Sequence, residues 1–158
     1  MDCSFRQADL ADAGDSRIVA DLVSAFELNQ TGRLPPDPDS DSLIAALRGF
    51  PTTHAFICEI PGTGAAGLAL CFLGFSTFLR KPLLNIHDFF VLPEFQGRGI
   101  GRAFLSFLED QARLRDWGRI TLEVYADNTQ ARTLYESCGY TGSQPETGRV
   151  YYFLQKNM

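Results

Sequence analysis

The sequence lacks a positive balance: 14 Lys and Arg stand against 19 Asp and Glu, a net charge of -5. A broad nucleic-acid-binding face, which needs clustered cations, is therefore not expected. It also lacks paired thiols. Cys3, Cys58, Cys71 and Cys138 are scattered with no C-x-x-C spacing, which argues against a zinc site or a disulfide framework and for reduced, buried cysteines; no metal is expected. No stretch approaches the roughly 20 uninterrupted apolar residues of a membrane span. The opening MDCSFRQADL has neither a basic leader nor an apolar core, so the expectation is a soluble, cytoplasmic chain with no membrane partner. Internal repeats, linkers and low-complexity segments are missing too. What remains is 158 residues, 45% hydrophobic and 12% aromatic, a length and composition that suit one domain, 1–158, around a single core.

The most informative stretch is NIHDFFVLPEFQGRGIGR, from Asn85 to Arg102. An apolar run ends at Pro93, a glycine-punctuated turn follows, and apolar residues recur at helical spacing from Ile100, which reads as strand, loop and helix. Gly97, Gly99 and Gly101 allow the backbone to turn sharply and to aim several N–H groups into one concave space. The first helical turn adds its own N–H groups and the positive end of the helix dipole, so the natural guest is a phosphate or pyrophosphate. A Walker loop would need Lys and then Ser or Thr after its last glycine, whereas Gly101 is followed by Arg102 and Ala103. The dinucleotide fingerprint G-x-G-x-x-G fails as well, because the glycines alternate.

In chain order, Cys3 to Ala8 reads as a first strand. Ile18, Val19, Leu22, Val23 and Phe26 follow helical spacing, with Asp15 or Ser16 as the cap. The segment from Asn29 to Ser42, rich in Pro and Asp, reads as a loop before a short helix near Leu43 to Leu47. His54–Ile60 and Gly67–Phe75 are predicted to pair antiparallel, and Leu83–Leu92 is the central strand. A long amphipathic helix from Ile100 ends near Trp117-Gly118, and Ile120 to Ala126 alternates as a fifth strand parallel to the central one. Asp127 with Gln130 has the form of a capping box, Asn128 is the alternative cap, and Gly139 closes that helix. Val150 to Leu154 reads as a last strand, whose edge a second copy of the chain or a strand of the same chain can cover. The fold class is α/β (α+β), a mixed sheet of six to seven strands flanked by about four helices.

The hexapeptide Gln96-Gly97-Arg98-Gly99-Ile100-Gly101, directly after a strand ending in V-x-P-E, resembles the signature loop of the GNAT superfamily of N-acetyltransferases. That resemblance extends to Asn128, Ala131, Leu134, Tyr135, Gly139 and Tyr140 in DNTQARTLYESCGY. It implies acetyl-coenzyme A as acetyl donor, with its pyrophosphate cradled by Gln96, Gly97, Arg98, Gly99, Ile100, Gly101 and Arg102 and with Asn128 nearby. It also implies a backbone amide near Phe90 or Val91 on the thioester carbonyl. The acceptor it implies is a primary amine, on a small molecule or a peptide, that attacks directly.

A protonated amine, with a pKa of about 10, must lose a proton before it attacks, and the departing thiolate leaves more easily beside a proton donor. Tyr135 is the expected donor, the competing reading being a core tyrosine. His87 and Asp88 are the candidate bases, although neighbours on a regular strand face opposite ways unless a bulge intervenes. Related polyamine acetyltransferases carry Glu where this chain has His87, which argues against a polyamine acceptor. Asn128 as a plain helix cap, His87 as an ordinary sheet histidine, and Arg98 and Arg102 as solvated arginines are the structural alternatives. Two functional alternatives stay open: a non-catalytic acyl-coenzyme A binding or regulatory module, and transfer of a different acyl group.

Overall fold

Alternation along the strands decides the layers. The computed structural model describes residues 2–33 and 40–142. Two compact units divide the chain, Met1–Leu122 and the stretch from Glu123 onward. In the first, five strands form one sheet in the order β1 (Ser4–Gln7), β2 (Thr53–Ile60), β3 (Gly64–Ser76), β4 (Lys81–Val91) and β5 (Arg119–Leu122). The first four pair antiparallel, whereas β4 and β5 pair parallel from Leu83↔Arg119 to Ile86↔Leu122. A side-chain bond from Asn85 Nδ2 to Thr121 Oγ1, 3.1 Å, reinforces that junction.

One sheet face is covered by α1 (Ala13–Thr31) and α2 (Ser40–Gly49). Val19, Ala20 and Leu22 of α1 and Ile44 and Leu47 of α2 bury against Ala55, Ile57, Leu68 and Leu70. The opposite face carries α3 (Ile100–Leu114), whose Phe104, Leu105 and Leu108 are fully buried; each such side chain contributes about 1.5–3 kcal/mol on leaving water. Phe104 stacks on Phe5 of β1 at 5.0 Å and meets Phe89 of β4 at 5.4 Å, so α3 spans the sheet.

Several expectations shift. The first helix is capped by Asp12, whose side chain accepts from Asp15 N, not by Asp15 or Ser16. Asp15 is instead buried against Arg6, which grips Asp15 at 2.7 and 2.8 Å and Glu59 at 3.0 and 3.2 Å. That pairing holds the Asp15 carboxyl below the usual carboxylate range. The short helix near residue 43 is a full α2, the long helix ends at Leu114, and β5 stops at Leu122, so Val124 and Ala126 lie outside the sheet. The strand count is five among the described residues rather than six to seven; Val150 to Leu154 lies outside them. None of the four cysteines forms a disulfide with another described residue, and Cys58 and Cys71 are buried. No described helix is long and apolar enough to cross a membrane. The second unit contributes α4 (Thr129–Ser137).

Candidate active site

β4 positions the first group of residues. Leu70 and Cys71, consecutive on β3, pair with Asp88 and Ile86, so His87 is an extra residue inserted into β4. Such a bulge resets the alternation. Beyond it Phe89 faces α3, and Phe90 faces α1, its ring 5.4 Å from Phe26. Asp88, two before Phe90, lies on the α1 face. The His87 imidazole meets the edge of Phe72, which packs against the core under α1 and α2. His87 and Asp88 therefore share a face, which a regular strand forbids. His87 is exposed and Asp88 half-buried. Burial pushes the Asp88 carboxyl up, partly offset by His87.

The ladder also separates the two amides considered for the thioester oxygen. Leu92 N–H donates to Ala66 O at 2.9 Å, so by antiparallel alternation the Phe90 amide faces β3 and the Val91 amide faces the edge where β5 pairs. β4 runs from His87 to Val91 past its last pair with β5, at Ile86. On that edge Gln96 Nε2 donates to Val91 O at 2.8 Å. Gln96 thus braces the strand end.

After a 3-10 turn at Pro93–Phe95, Gly97 and Gly99 adopt φ of +71° and +81°, left-handed conformations that disfavour a side chain. A Cβ at either position would meet nothing within 4 Å, so backbone conformation, not crowding, calls for glycine, and the space beside the loop is open. Gly99 is the N-cap of α3 and brings no capping side chain, and the first turn holds no acid. The orphan N–H groups and dipole at the start of α3 therefore meet no carboxylate in its first turn, the arrangement that suits an external phosphate. Ile100, 3% exposed, anchors the turn. Arg98 is exposed, its guanidinium 5.8 Å from the Phe95 ring centroid, and Arg102 is exposed on the first turn. The open glycine cradle fits a pyrophosphate.

In the second unit Asn128 caps α4 by accepting from Ala131 N at 3.1 Å, so the cap belongs to Asn128 and not to Asp127. Tyr135 is 8% exposed, and burial pushes its phenol up to about 12. At neutral pH it is a donor and not a base. Among the described residues no cluster of three His, Cys, Asp or Glu could hold a metal. The aromatic neighbours Phe50 and Phe72 were not singled out from sequence; the available signal was a Phe standing in a turn directly before Pro51.

A mixed sheet whose central strand bulges and then feeds a glycine turn at a helix N-terminus defines an α/β fold that can hold an anionic carrier beside a strand. The chain belongs to the GNAT acetyltransferase family: the family model described as Acetyltransferase (GNAT) family matches residues 20–140. It is 40% identical over 134 residues to the [Ribosomal protein bS18]-alanine N-acetyltransferase of Escherichia coli (strain K12), covering 85% of this chain and 82% of that protein. It is also 40% identical to the N-alpha-acetyltransferase RimI of Mycobacterium tuberculosis, over 50% of this chain and 49% of that one. Of several other curated relatives it spans only 38% to 61%. Its fold matches the crystal structure of a possible acetyltransferase from Clostridium difficile with a TM-score of 0.78, at 15% identity over 99% of this chain and 97% of that one.

Proposed function

We propose that this chain works as one domain, an N-acetyltransferase that binds acetyl-coenzyme A and passes its acetyl group to a primary amine by direct attack. The observation that carries the reading is the bulge at His87 followed by the left-handed glycines Gly97 and Gly99 at the start of α3. Gly97, Arg98, Gly99, Ile100, Gly101 and Arg102 would hold the pyrophosphate through backbone N–H groups and the helix dipole, with Gln96 bracing Val91 beside them. When bound there, acetyl-coenzyme A supplies the activated thioester.

The Val91 amide, directed to the β5 edge, is the donor assigned to the thioester oxygen, in place of Phe90. Asp88, its carboxyl raised by burial, takes a proton from the incoming ammonium, and the exposed His87 beside it passes that proton to solvent. Tyr135, protonated throughout the neutral range, gives a proton to the departing thiolate and is reprotonated from solvent, while the nitrogen sheds its second proton through Asp88 and His87 in the same way. The family match, which runs from residue 20 to 140, takes in both Asn128 and Tyr135.

The test is release of free coenzyme A across a panel of primary amines, with calorimetry of acetyl-coenzyme A alongside. Tyr135→Phe is expected to lower kcat by about 10²-fold or more while acetyl-coenzyme A affinity stays within twofold. Saturable binding with no amine-dependent thiol release would instead identify a binding module and overturn the enzymatic reading.

A further inference from the structure

Three rings lead from solvent to the half-buried carboxylate. Phe50, in the turn between α2 and β2, is 54% exposed. Its ring meets Phe72 edge-on with centroids 5.5 Å apart, and Phe72 meets the His87 imidazole at 5.5 Å and 68°. His87 adjoins Asp88 and acts on it electrostatically. About half of Phe50 remains exposed to water, at the outer end of a path of rings that leads to His87 and, beside it in sequence, Asp88. An aromatic surface on the same sheet face as a carboxylate complements an ammonium attached to an apolar skeleton: the carboxylate pairs with the cation, and the skeleton covers ring surface that would otherwise stand in water. A second ammonium at the far end of the molecule would keep its own hydration and leave the Phe50 ring without an apolar cover.

We propose that Phe50, Phe72 and His87 form the acceptor seat, and that it selects a primary amine flanked by an apolar or aromatic group over one carrying a second cation. This inference rests on the acetyltransferase reading above. It assigns Phe50 and Phe72 as specificity-determining residues that touch the acceptor without taking part in the chemistry.

The experiment uses the full chain with acetyl-coenzyme A and four probes: 2-phenylethylamine, 1,4-diaminobutane, and short peptides beginning with Phe or with Gly. The expected result is a kcat/KM for 2-phenylethylamine, for the Phe peptide or for both that exceeds those of the diamine and the Gly peptide by about tenfold or more. Which of the two favoured probes is better tells whether the amine is a free small molecule or a chain terminus. Phe50→Ala should raise KM for the favoured probe about five- to tenfold with kcat changed less than twofold, and Phe50→Leu should fall between. Calorimetry with acetyl-coenzyme A and a thermal melt check that both variants are folded. Preference for the diamine, an unchanged KM in Phe50→Ala, or release with other amines of the panel but with none of these four probes would overturn the acceptor inference alone. Failure to bind acetyl-coenzyme A would overturn the acetyltransferase reading itself.

Discussion

Replacing Gly99 separates the two properties that the loop combines, backbone conformation and acceptance of negative charge. At φ +81° an L-residue costs about 1–2 kcal/mol, and because a Cβ there meets nothing within 4 Å, no clash adds to it. Gly99→Ala should therefore lower the urea-unfolding free energy by about 1–2 kcal/mol. Gly99→Glu carries the same strain, but its carboxylate at the start of α3 regains about 0.3–1 kcal/mol from the helix dipole. The glutamate variant should thus be the more stable of the two.

Binding should order them the other way. A doubly charged pyrophosphate about 6 Å from the new carboxylate is repelled by about 1.4 kcal/mol in bulk water and about 5.5 kcal/mol at an effective dielectric constant of 20. At about 0.01 M ionic strength, where the Debye length is about 30 Å, Gly99→Glu should bind acetyl-coenzyme A at least about tenfold more weakly than Gly99→Ala. The gap should narrow as salt is added. Calorimetric titration at two ionic strengths reads both effects. Equal affinities of the two folded variants at low salt would refute the reasoning, because the loop would then not face an anion.

Asp88→Asn tests the half-buried carboxyl. A raised carboxyl favours the folded state below the unfolded pKa of about 3.9 and loses that contribution as pH rises through the folded value; at pH 7 the ionised group costs stability. The variant should therefore have a higher urea midpoint than wild type at pH 7 yet release thiol about 10²-fold more slowly with amines; a lower midpoint would show that the charge is not desolvated. Asp15→Asn has the opposite sign. The Asp15 carboxyl, lowered mainly by its bonds to Arg6, contributes stability above the unfolded pKa of about 3.9 that disappears as pH falls through the folded value. Because the Arg6 side chain is 41% exposed, the expected loss at pH 7 is about 2 kcal/mol, below the 3–5 kcal/mol of a fully buried pair. Urea midpoints measured from pH 7 down to 3 should fall steeply for wild type and less so for Asp15→Asn, and parallel curves would refute this assignment.

The glycine loop could be read from the chain alone because its signals are local. Alternating glycines, an apolar run before them and 3.6-residue periodicity after Ile100 involve neighbours in sequence, and the structure puts left-handed glycines and α3 where those signals lie. The same holds for Asn128 as a cap, since a cap bonds residues three positions away. The Asp12 cap shows the limit: Asp12 and Asp15 are equivalent as residue types, and only Arg6, brought from β1, and Glu59, brought from β2, decide that Asp15 is buried.

What β4 does with His87 was left to the tertiary structure. A bulge is a mismatch between two strands, here Leu70 and Cys71 against Ile86 and Asp88, and no property of β4 by itself determines where the pairing slips. The slip puts His87 and Asp88 on one face and, with the ladder phase set at Leu92 and Ala66, directs the Val91 amide to the β5 edge. The seat of Phe50, Phe72 and His87 likewise joins a turn, one strand and the bulge of another. Sequence determined which local elements form, the glycine loop at the start of α3 among them. Long-range strand pairing decided which side chains stand together beside it, because side-chain direction in a sheet depends on register, and register belongs to pairs of strands.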